Sequence, residues 1–314
     1  MELSLNSDYV NDRGVAEPFF QPAADAGFTH LFWGHDWVMP ITYGPAEMAE
    51  FKSWYRKSNL KLSSVHGAAE CLKCWWSSTE YLRKAGVELV INRLQLLDEL
   101  EGSGPLVMHL PRIDASRYSP EYIESETHAF EQAKKSMDEV MPYLEKYGRK
   151  LALENLHGDD CRFLSECLER YPAELVGLCF DSGHSMIRNN NFQYFLDHAD
   201  RIYATHLHDN DSWGDWHCAP FLGDDIPGIR YIAYNEPFIR SPMPGKTVDW
   251  NLVAEIVKKS PCRKQLTFEV TMETSLHWDR SLARESQKPE SIKKFLSETY
   301  DRCCAFAKMV DPEL

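Results

Sequence analysis

Basic residues are scarce in this sequence. Its 34 lysines and arginines face 48 aspartates and glutamates, which gives a formal net charge of −14. Proteins that bind nucleic acid usually carry a basic footprint, because binding depends on neutralising phosphates. No basic run interrupts the chain. We therefore expect no nucleic-acid partner, although an acidic total still leaves room for a local basic groove.

Long apolar runs are also missing. The segment Met1–Val10 contains neither a basic region nor an extended apolar stretch. Secretory signals and membrane spans need both length and apolar character. The sequence therefore predicts no signal peptide and no membrane partner, and a cytoplasmic location is the corresponding expectation.

The nine cysteines do not form a recognisable framework. Cys71-Leu-Lys-Cys74 has the spacing of a zinc or redox pair, but no second pair of this kind completes a four-sulfur site. We expect reduced thiols, including Cys303-Cys304 in a helical pattern. No glycine-rich phosphate loop or arginine cluster stands out either, so the sequence does not show whether a substrate carries a phosphate.

Six short apolar runs each end on a residue that can bind a metal. Parallel strands joined by helices bring all their carboxyl ends to one face, so residues far apart in sequence would meet there. Imidazole and carboxylate ligands without thiolates suit Mn²⁺, Mg²⁺, Co²⁺ or Zn²⁺. The six terminal residues are His66, His109, Glu154, Asp181, His206 and Glu269.

Strand-like and helical patterns alternate along the whole chain. The strand-like runs are Leu3–Ser7, His30–Trp33, Leu62–His66, Leu106–His109, Leu151–Glu154, Val176–Asp181, Ile202–His206 and Leu266–Val270. The helical stretches are Ala16–Ala26, Pro45–Ser58, Tyr81–Leu100, Glu121–Tyr147, Cys161–Arg170, Phe192–Ala199, Trp250–Lys258 and Ser291–Lys308. Eight strands that are each followed by a helix predict an α/β fold, a (β/α)₈ TIM barrel, with residues 1–314 as a single domain.

One segment departs from this alternation. More than forty residues rich in Gly, Pro, Asp and aromatics lie between His206 and Trp250. Loops of this length are usually functional or disordered, and the aromatic content argues against disorder. We interpret residues 211–248 as a long insertion after strand seven at the C-terminal face, serving as a lid or a partner surface.

Three motifs resemble those of a known superfamily. The motifs Leu-Glu154-Asn155, Phe-Asp181-Ser-Gly-His184 and Thr-His206-Leu-His-Asp209-Asn210 look like those of the xylose-isomerase-like barrels. This superfamily holds sugar isomerases and epimerases, inosose dehydratases, C-glycoside-cleaving enzymes and apurinic endonucleases of the endonuclease IV type. The resemblance runs from about residue 3 to 308, and the order of the motifs is more specific than any one of them.

The resemblance implies a set of metal ligands. In the ketose 3-epimerases one metal is held from strands five to eight, which carries over to Glu154, Asp181, His206 and Glu269. Mn²⁺ is the expected metal, with Mg²⁺, Co²⁺ or Zn²⁺ as alternatives. The endonuclease branch uses nine ligands, and the additional candidates for metal or substrate here are His66, His109, His184, Asp215 and His217. A second or third metal therefore stays open.

Catalytic roles follow from the same resemblance and from elementary chemistry. Glu154 and Glu269 are the expected proton-transfer pair, since one carboxylate can take a proton that the other returns. His184 would hold a substrate oxygen or join the proton-transfer chain. His157, three residues past Glu154, could act as a base near the pocket mouth, as in the C-glycoside-cleaving enzymes; the alternative is a solvated loop residue.

Other interpretations of these residues stay open. Asp181 could simply cap the next helix, and His66 and His109 could be barrel-mouth histidines bonded to backbone. Asp215 and His217 could order the insertion. Trp213 and Trp216, which bracket Asp215, are expected to bind substrate, because aromatic rings pack on apolar faces of sugars.

The sequence favours a divalent-metal-dependent sugar isomerase or epimerase that transfers a proton next to a carbonyl. A lyase, either the catalytic subunit of a C-glycoside-cleaving enzyme or an inosose dehydratase-like enzyme, uses the same first step. An apurinic endonuclease-like phosphodiesterase and a non-catalytic binding barrel are further alternatives. The expected partners are a small sugar or glycoside, other copies of the chain in a homo-oligomer and, in the lyase case, a small partner subunit.

Overall fold

Eight parallel strands form the centre of the molecule. The computed structural model describes residues 1–10, 15–69, 72–188, 190–210, 215–222, 247–272 and 288–313. The strands are β1 (Glu2–Asn6), β2 (His30–Trp33), β3 (Lys61–His66), β4 (Leu106–His109), β5 (Leu151–Glu154), β6 (Val176–Asp181), β7 (Ile202–His206) and β8 (Gln265–Phe268). They are hydrogen-bonded in the order β7-β6-β5-β4-β3-β2-β1-β8.

The sheet closes on itself between β7 and β8. Leu207, directly after β7, donates its N–H to the Thr267 carbonyl at 2.9 Å and accepts from the Glu269 N–H at 3.2 Å. Leu207 and Phe268 thereby form a parallel bridge. The predicted (β/α)₈ TIM barrel is confirmed.

Helices surround the barrel and connect its strands. They are α1 (Phe20–Ala26), α2 (Pro45–Lys57), α3 (Glu80–Glu99), α4 (Pro120–Tyr147), α5 (Arg162–Arg170), α6 (Ser182–Met186), α7 (Phe192–Asp197), α8 (Trp250–Lys259) and α9 (Pro289–Val310), with 3₁₀ turns at Glu17–Phe19 and Ala199–Arg201. The predicted helix over 16–26 is therefore a 3₁₀ turn followed by α1. The short helix α6 is absent from the sequence prediction, because its single turn depends on a cap from Asp181 rather than on an apolar period.

Two glycines end helices as the sequence predicts. Gly27 follows α1 with φ +114°, and Gly148 follows α4 with φ +59°. Both angles lie in the left-handed region, where a side chain would be strained. These two stops return the chain to the barrel at the start of β2 and β5.

Side chains in the barrel interior form layers, because every second residue of a strand points to the same face. Val107, Ala152, Cys179 and Ala204 are buried together with Phe32 in a compact interior cluster. Each of Val107, Ala152, Cys179 and Ala204 lies two positions before the last residue of its strand. Its side chain and that of the last residue therefore share the interior face. The terminal residues pair in register, His109 with Glu154 and Asp181 with His206. An apolar layer therefore lies directly beneath a layer of His, Glu and Asp.

Asp209 fixes both ends of the segment that carries the predicted insertion. This fully buried carboxylate accepts from the N–H of Leu222 at 2.8 Å and of Val248 at 3.0 Å, and from the indole of Trp250 at 2.7 Å. Most of the predicted insertion over 211–248 lies outside the described residues, as does Cys71. In the described ranges, every helix is too short or too polar to cross a bilayer.

Candidate metal centre

Four of the predicted ligands meet at the C-terminal mouth of the barrel. Glu154, Asp181 and His206 end β5, β6 and β7, and Glu269 directly follows β8. One donor atom from each of the four lies within 4.8 Å of all the others. The Nδ1 atom of His206 is 3.0 Å from Glu154 Oε2 and 3.1 Å from Glu269 Oε2. Residues 115 positions apart in sequence thus face one point.

The donor atoms of this group fit a divalent cation. Among the described residues, Glu154 Oε2 and His206 Nδ1 are buried and lie 3.0 Å apart, yet neither atom makes a hydrogen bond of good geometry. Buried polar atoms without a partner are costly and uncommon in folded proteins. A cation between the carboxylates and the imidazole would satisfy both atoms, and an oxygen and nitrogen donor set suits Mn²⁺, Mg²⁺, Co²⁺ or Zn²⁺.

The charges of this group stabilise one another. Burial raises the pKa of Glu154, but the charges of His206 and His109 outweigh burial and hold it well below its usual range. Burial likewise raises the pKa of Glu269, yet His206 brings it down to about 2. Both carboxylates are therefore ionised at neutral pH, as ligands and proton acceptors must be.

A second group shares Glu154. Donor atoms of His66, His109 and Glu154 lie within 4.8 Å of one another. His66 donates its Nδ1 proton to the Gly67 carbonyl at 2.8 Å, which leaves the Nε2 lone pair 3.2 Å from His109 Nε2. Burial and the neighbouring His109 lower the pKa of His66 to about 4, so its imidazole is neutral. The ring of Trp37 packs against both histidines.

A third group contains His184, Asp215 and His217. His184 donates its Nδ1 proton to the Asn155 carbonyl at 2.9 Å, and His217 donates its own to the Glu269 carbonyl at 3.0 Å. Their Nε2 atoms lie 3.0 and 3.3 Å from Asp215 Oδ2. Metal-binding histidines commonly donate one ring proton to a carbonyl and offer the other nitrogen to the ion.

His208 completes this third group and was missed by the sequence prediction. One of its donor atoms lies within 4.8 Å of those of His184, Asp215 and His217. Its ring stacks on His217 at 4.0 Å, and its Nε2 lies 3.0 Å from Asp181 Oδ2. The two-residue period could have found it, because His208 follows His206 by two positions.

Asp181 both caps a helix and belongs to the metal group. Its Oδ1 accepts from the His184 N–H at 2.6 Å, so it is the N-cap of α6. The side chain of Asn155 holds the same strand end: it accepts from the Asp181 N–H at 2.9 Å and donates to the Asp181 carbonyl at 3.0 Å. The two interpretations of Asp181 are therefore compatible.

Asp8, in the loop after β1, is a further acidic group that the sequence prediction missed. Burial and the negative charge of Glu269 together raise the pKa of Asp8 to about 6, against the lowering effect of the Asn6 amide, which donates to Asp8 Oδ1 at 2.9 Å. Asp8 follows β1 without ending it, and its neighbour Glu269 lies at the far end of the sequence. No local pattern could reveal that proximity.

His157 lies at the edge of the third group. Its half-buried ring is perpendicular to that of His184, with the centroids 6.1 Å apart. Burial and the Arg112 guanidinium lower the pKa of His157. Of the predicted substrate-binding tryptophans, Trp216 is half-buried and its backbone N–H donates to Asn210 Oδ1 at 2.6 Å, while Trp213 lies outside the described residues.

The family model for the xylose isomerase-like TIM barrel matches residues 20–296. The chain therefore belongs to the xylose isomerase-like TIM-barrel family. This agrees with the resemblance of its strand-end motifs.

Individual relatives have low sequence identity to the chain. An uncharacterized protein, y4fM, from Sinorhizobium fredii is 26% identical over 272 residues, which is 79% of each chain. The D-psicose 3-epimerase of Clostridium cellulolyticum superposes with a TM-score of 0.66 at 13% identity, covering 98% of this chain and 99% of that one. An IOLI protein with a bound zinc atom has a TM-score of 0.62 at 12% identity, covering 100% and 99%. At these identities the solved structures support the fold alone.

Proposed function

We propose that this protein is a divalent-metal-dependent isomerase or epimerase that moves a proton next to the carbonyl of a sugar or polyol. The observation that carries the proposal is the convergence of Glu154 and Glu269 on His206 Nδ1, at 3.0 and 3.1 Å. The epimerase and zinc-bound relatives support it, since they share the fold.

The first group consists of Glu154, Asp181, His206 and Glu269, which would hold the cation. When bound, the cation would polarise the sugar carbonyl and make the adjacent C–H more acidic. Glu154 and Glu269 are ionised, so either carboxylate can accept the proton, and the other, once protonated, can return one.

A lyase would begin with the same proton abstraction. Expulsion of a β-leaving group would then give dehydration of an inosose or cleavage of a C-glycoside. The position of His157 beside the third group is compatible with a larger substrate that extends beyond the first group. The products distinguish the reactions, because only the lyase loses water or an aglycone.

Solvent exchange in D₂O tests the proposal. Purified protein with Mn²⁺ is incubated with ketoses, inososes and aryl C-glycosides, and deuterium at the carbon next to the carbonyl is followed by NMR. We expect exchange into at least one ketose. Glu154→Gln and Glu269→Gln should each abolish it, while the matched control Glu255→Gln, an exposed residue of α8 paired with Lys259, should not. If none of these compounds exchanged deuterium, the proposal would be wrong.

One observation favours a second function. The nine predicted ligands assemble into three adjacent groups, with Glu154 shared between the first two. An apurinic endonuclease-like phosphodiesterase would use such a set to stabilise an in-line displacement at phosphorus. The charge of −14 opposes binding to DNA. Incision of an abasic duplex at low salt would support this alternative, and its absence would remove it.

A further inference from the structure

A hydrogen-bonded pair, Arg112 and His157, lies at the mouth of the barrel beside the third group. Arg112 belongs to the loop after β4 and His157 to the loop after β5. The Arg112 Nη2 atom lies 2.8 Å from His157 Nδ1, and Arg112 Nε donates to the His157 carbonyl oxygen at 2.9 Å. Two contacts from one guanidinium thus fix both the backbone and the ring of His157.

These contacts determine which ring nitrogen carries the proton. A guanidinium has only donors and stays protonated in proteins. His157 Nδ1 must therefore be the acceptor, and the single N–H of the neutral ring lies on Nε2. A proton on Nδ1 would break the contact, and if Nε2 kept its own proton it would also place two cations 2.8 Å apart. The ring is thereby prevented from taking up a proton while the pair is intact.

The surrounding loops hold this pair rigidly. The Tyr122 hydroxyl donates to the Arg112 carbonyl at 3.1 Å and accepts from the Asp114 N–H at 3.0 Å. Asp114 and Asp159 form an antiparallel bridge that joins the loop of Arg112 to the loop of His157. An imidazole fixed by packing and hydrogen bonds is well suited to act on a substrate without reorganisation.

The ring of His157 lies next to the third group. The His157 ring is half-buried and contacts the ring of His184, whose Nδ1 lies 3.4 Å from Glu154 Oε1. His157 is thus separated from the first group by one residue.

We propose that Arg112 fixes His157 as a neutral imidazole that donates its Nε2 proton in a hydrogen bond to a substrate oxygen, and that His157 is not a base. The inference rests on the proposed function for its substrate, a polyol with a hydroxyl or enolate oxygen beyond the two that bind the cation. No proton leaves His157 in the reaction. Arg112 is a positioning residue and His157 a catalytic one. This revises the sequence expectation that His157 accepts a proton.

The tautomer is measured directly and without a substrate. The chain has 12 histidines, and the resonance of His157 in a ¹⁵N spectrum is assigned by its loss in His157→Gln. We expect the Nε2–H tautomer at neutral pH in the unaltered protein and a mixture of tautomers in Arg112→Met. An imidazolium or an Nδ1–H tautomer in the unaltered protein would overturn the proposal.

Paired substitutions test the donor role on whichever compound exchanges deuterium. Gln places an amide N–H near the position of Nε2 but cannot act as a base, whereas the shorter Asn cannot reach it. We expect His157→Gln to stay within a few-fold of the unaltered kcat/KM and His157→Asn and His157→Ala to lose roughly ten- to a hundredfold, the worth of a hydrogen bond to a charged group. Arg112→Lys should retain more activity than Arg112→Met.

Equal loss in His157→Gln and His157→Ala, with the tautomer as expected, would refute the donor role. A protein that exchanges no compound at all would refute the proposed function instead, and the spectrum would still decide the state of His157. The two failures are therefore distinguishable.

Discussion

Three histidines at the barrel mouth share one orientation. His66, His184 and His217 each donate the Nδ1 proton to a backbone carbonyl, at 2.8, 2.9 and 3.0 Å. Each ring therefore offers Nε2 to its group. Such an arrangement makes protons and metal ions competitors for the same nitrogen.

Proton competition gives a prediction for the third group. In the metal-free protein Asp215 outweighs the effect of burial and raises the pKa of His217 to about 10, while a bound imidazole must be neutral. Cation binding should therefore release protons and become tighter as the pH rises from 7 to 9. Calorimetry in two buffers of different ionisation enthalpy counts the released protons. An equal heat in both buffers would contradict the prediction.

The same shift has a consequence for the metal-free fold. The pKa of His217 rises from 6.5 to about 10, so its stabilising contribution is complete below pH 6.5 and is lost as the pH rises through 10. We expect the melting temperature of chelator-treated protein to fall more between pH 7 and 10 in the unaltered chain than in His217→Gln. Equal falls would show that the Asp215–His217 pair contributes nothing.

Asp8 should have the opposite effect on stability. Burial raises its pKa from 3.8 to about 6, so ionising Asp8 beside Glu269 costs stability that sets in above pH 3.8 and is complete above about 6. Asp8→Asn removes this charge and still offers an oxygen to the Asn6 amide. We expect a higher melting temperature for metal-free Asp8→Asn at pH 8, with a smaller gain at pH 5. A loss at pH 8 would contradict the sign.

Single residues are only partly predictable from the sequence. Glu154, Asp181 and His206 end strands, and the strand period places them on the interior face. The protonation state of His157 depends on Arg112, 45 positions earlier, and no pattern in the sequence links the two. The sequence places His157 three residues past Glu154 but does not reveal this contact.

At the scale of elements, Asp209 joins three separate parts of the chain. Residues 210, 222, 248 and 250 all donate to its carboxylate, including the Asn210 N–H at 2.9 Å. The segments on both sides of 223–246 are thereby attached to the end of β7 and the start of α8. The buried side chain of Asp209 thus connects the end of β7 to residue 222 and to the start of α8.

Loss of this carboxylate should strongly destabilise the fold. Asp209→Ala leaves several buried N–H donors without an acceptor, and each unsatisfied donor costs about 1–3 kcal/mol. We therefore expect the free energy of unfolding to fall by roughly 3 kcal/mol or more. Asp249→Ala is the matched control: it removes the exposed N-cap of α8, which accepts from the N–H groups of Asn251 and Leu252, and should cost about 1 kcal/mol. Urea denaturation measures both. Equal losses would mean that Asp209 is not the anchor.

Elements were more predictable than their boundaries. The runs His30–Trp33, Leu106–His109 and Leu151–Glu154 appear in the structure unchanged, because short apolar runs bounded by turn residues are typical of buried parallel strands. The last strand ends at Phe268, whereas the sequence predicts Val270. Val270 donates to the Asn6 side chain and not to a strand, and only the closed barrel brings these residues together.

For the molecule as a whole, the strongest consequence is that stability should depend on metal. Three groups of mostly buried donors lie at one end of the barrel. A ligand that binds only the folded state stabilises it by about 2.7 kcal/mol at a hundredfold excess over Kd. We expect Mn²⁺ to raise the melting temperature of chelator-treated protein, and Glu154→Gln to lose most of this rise. An unchanged melting temperature on adding Mn²⁺, Mg²⁺, Co²⁺ and Zn²⁺ in turn would argue against any site.

Glu154 belongs to both the first and the second group, and this double membership would make two occupied sites thermodynamically dependent. Glu154 Oε2 lies 3.0 Å from His206 Nδ1 in the first group and 3.5 Å from His109 Nε2 in the second. The affinity of either group for an ion would therefore depend on the occupancy of the other. A loading curve should therefore depart from the sum of independent isotherms. Through this one carboxylate, the occupancy of the second group would set the affinity of the first group for the ion that faces the substrate.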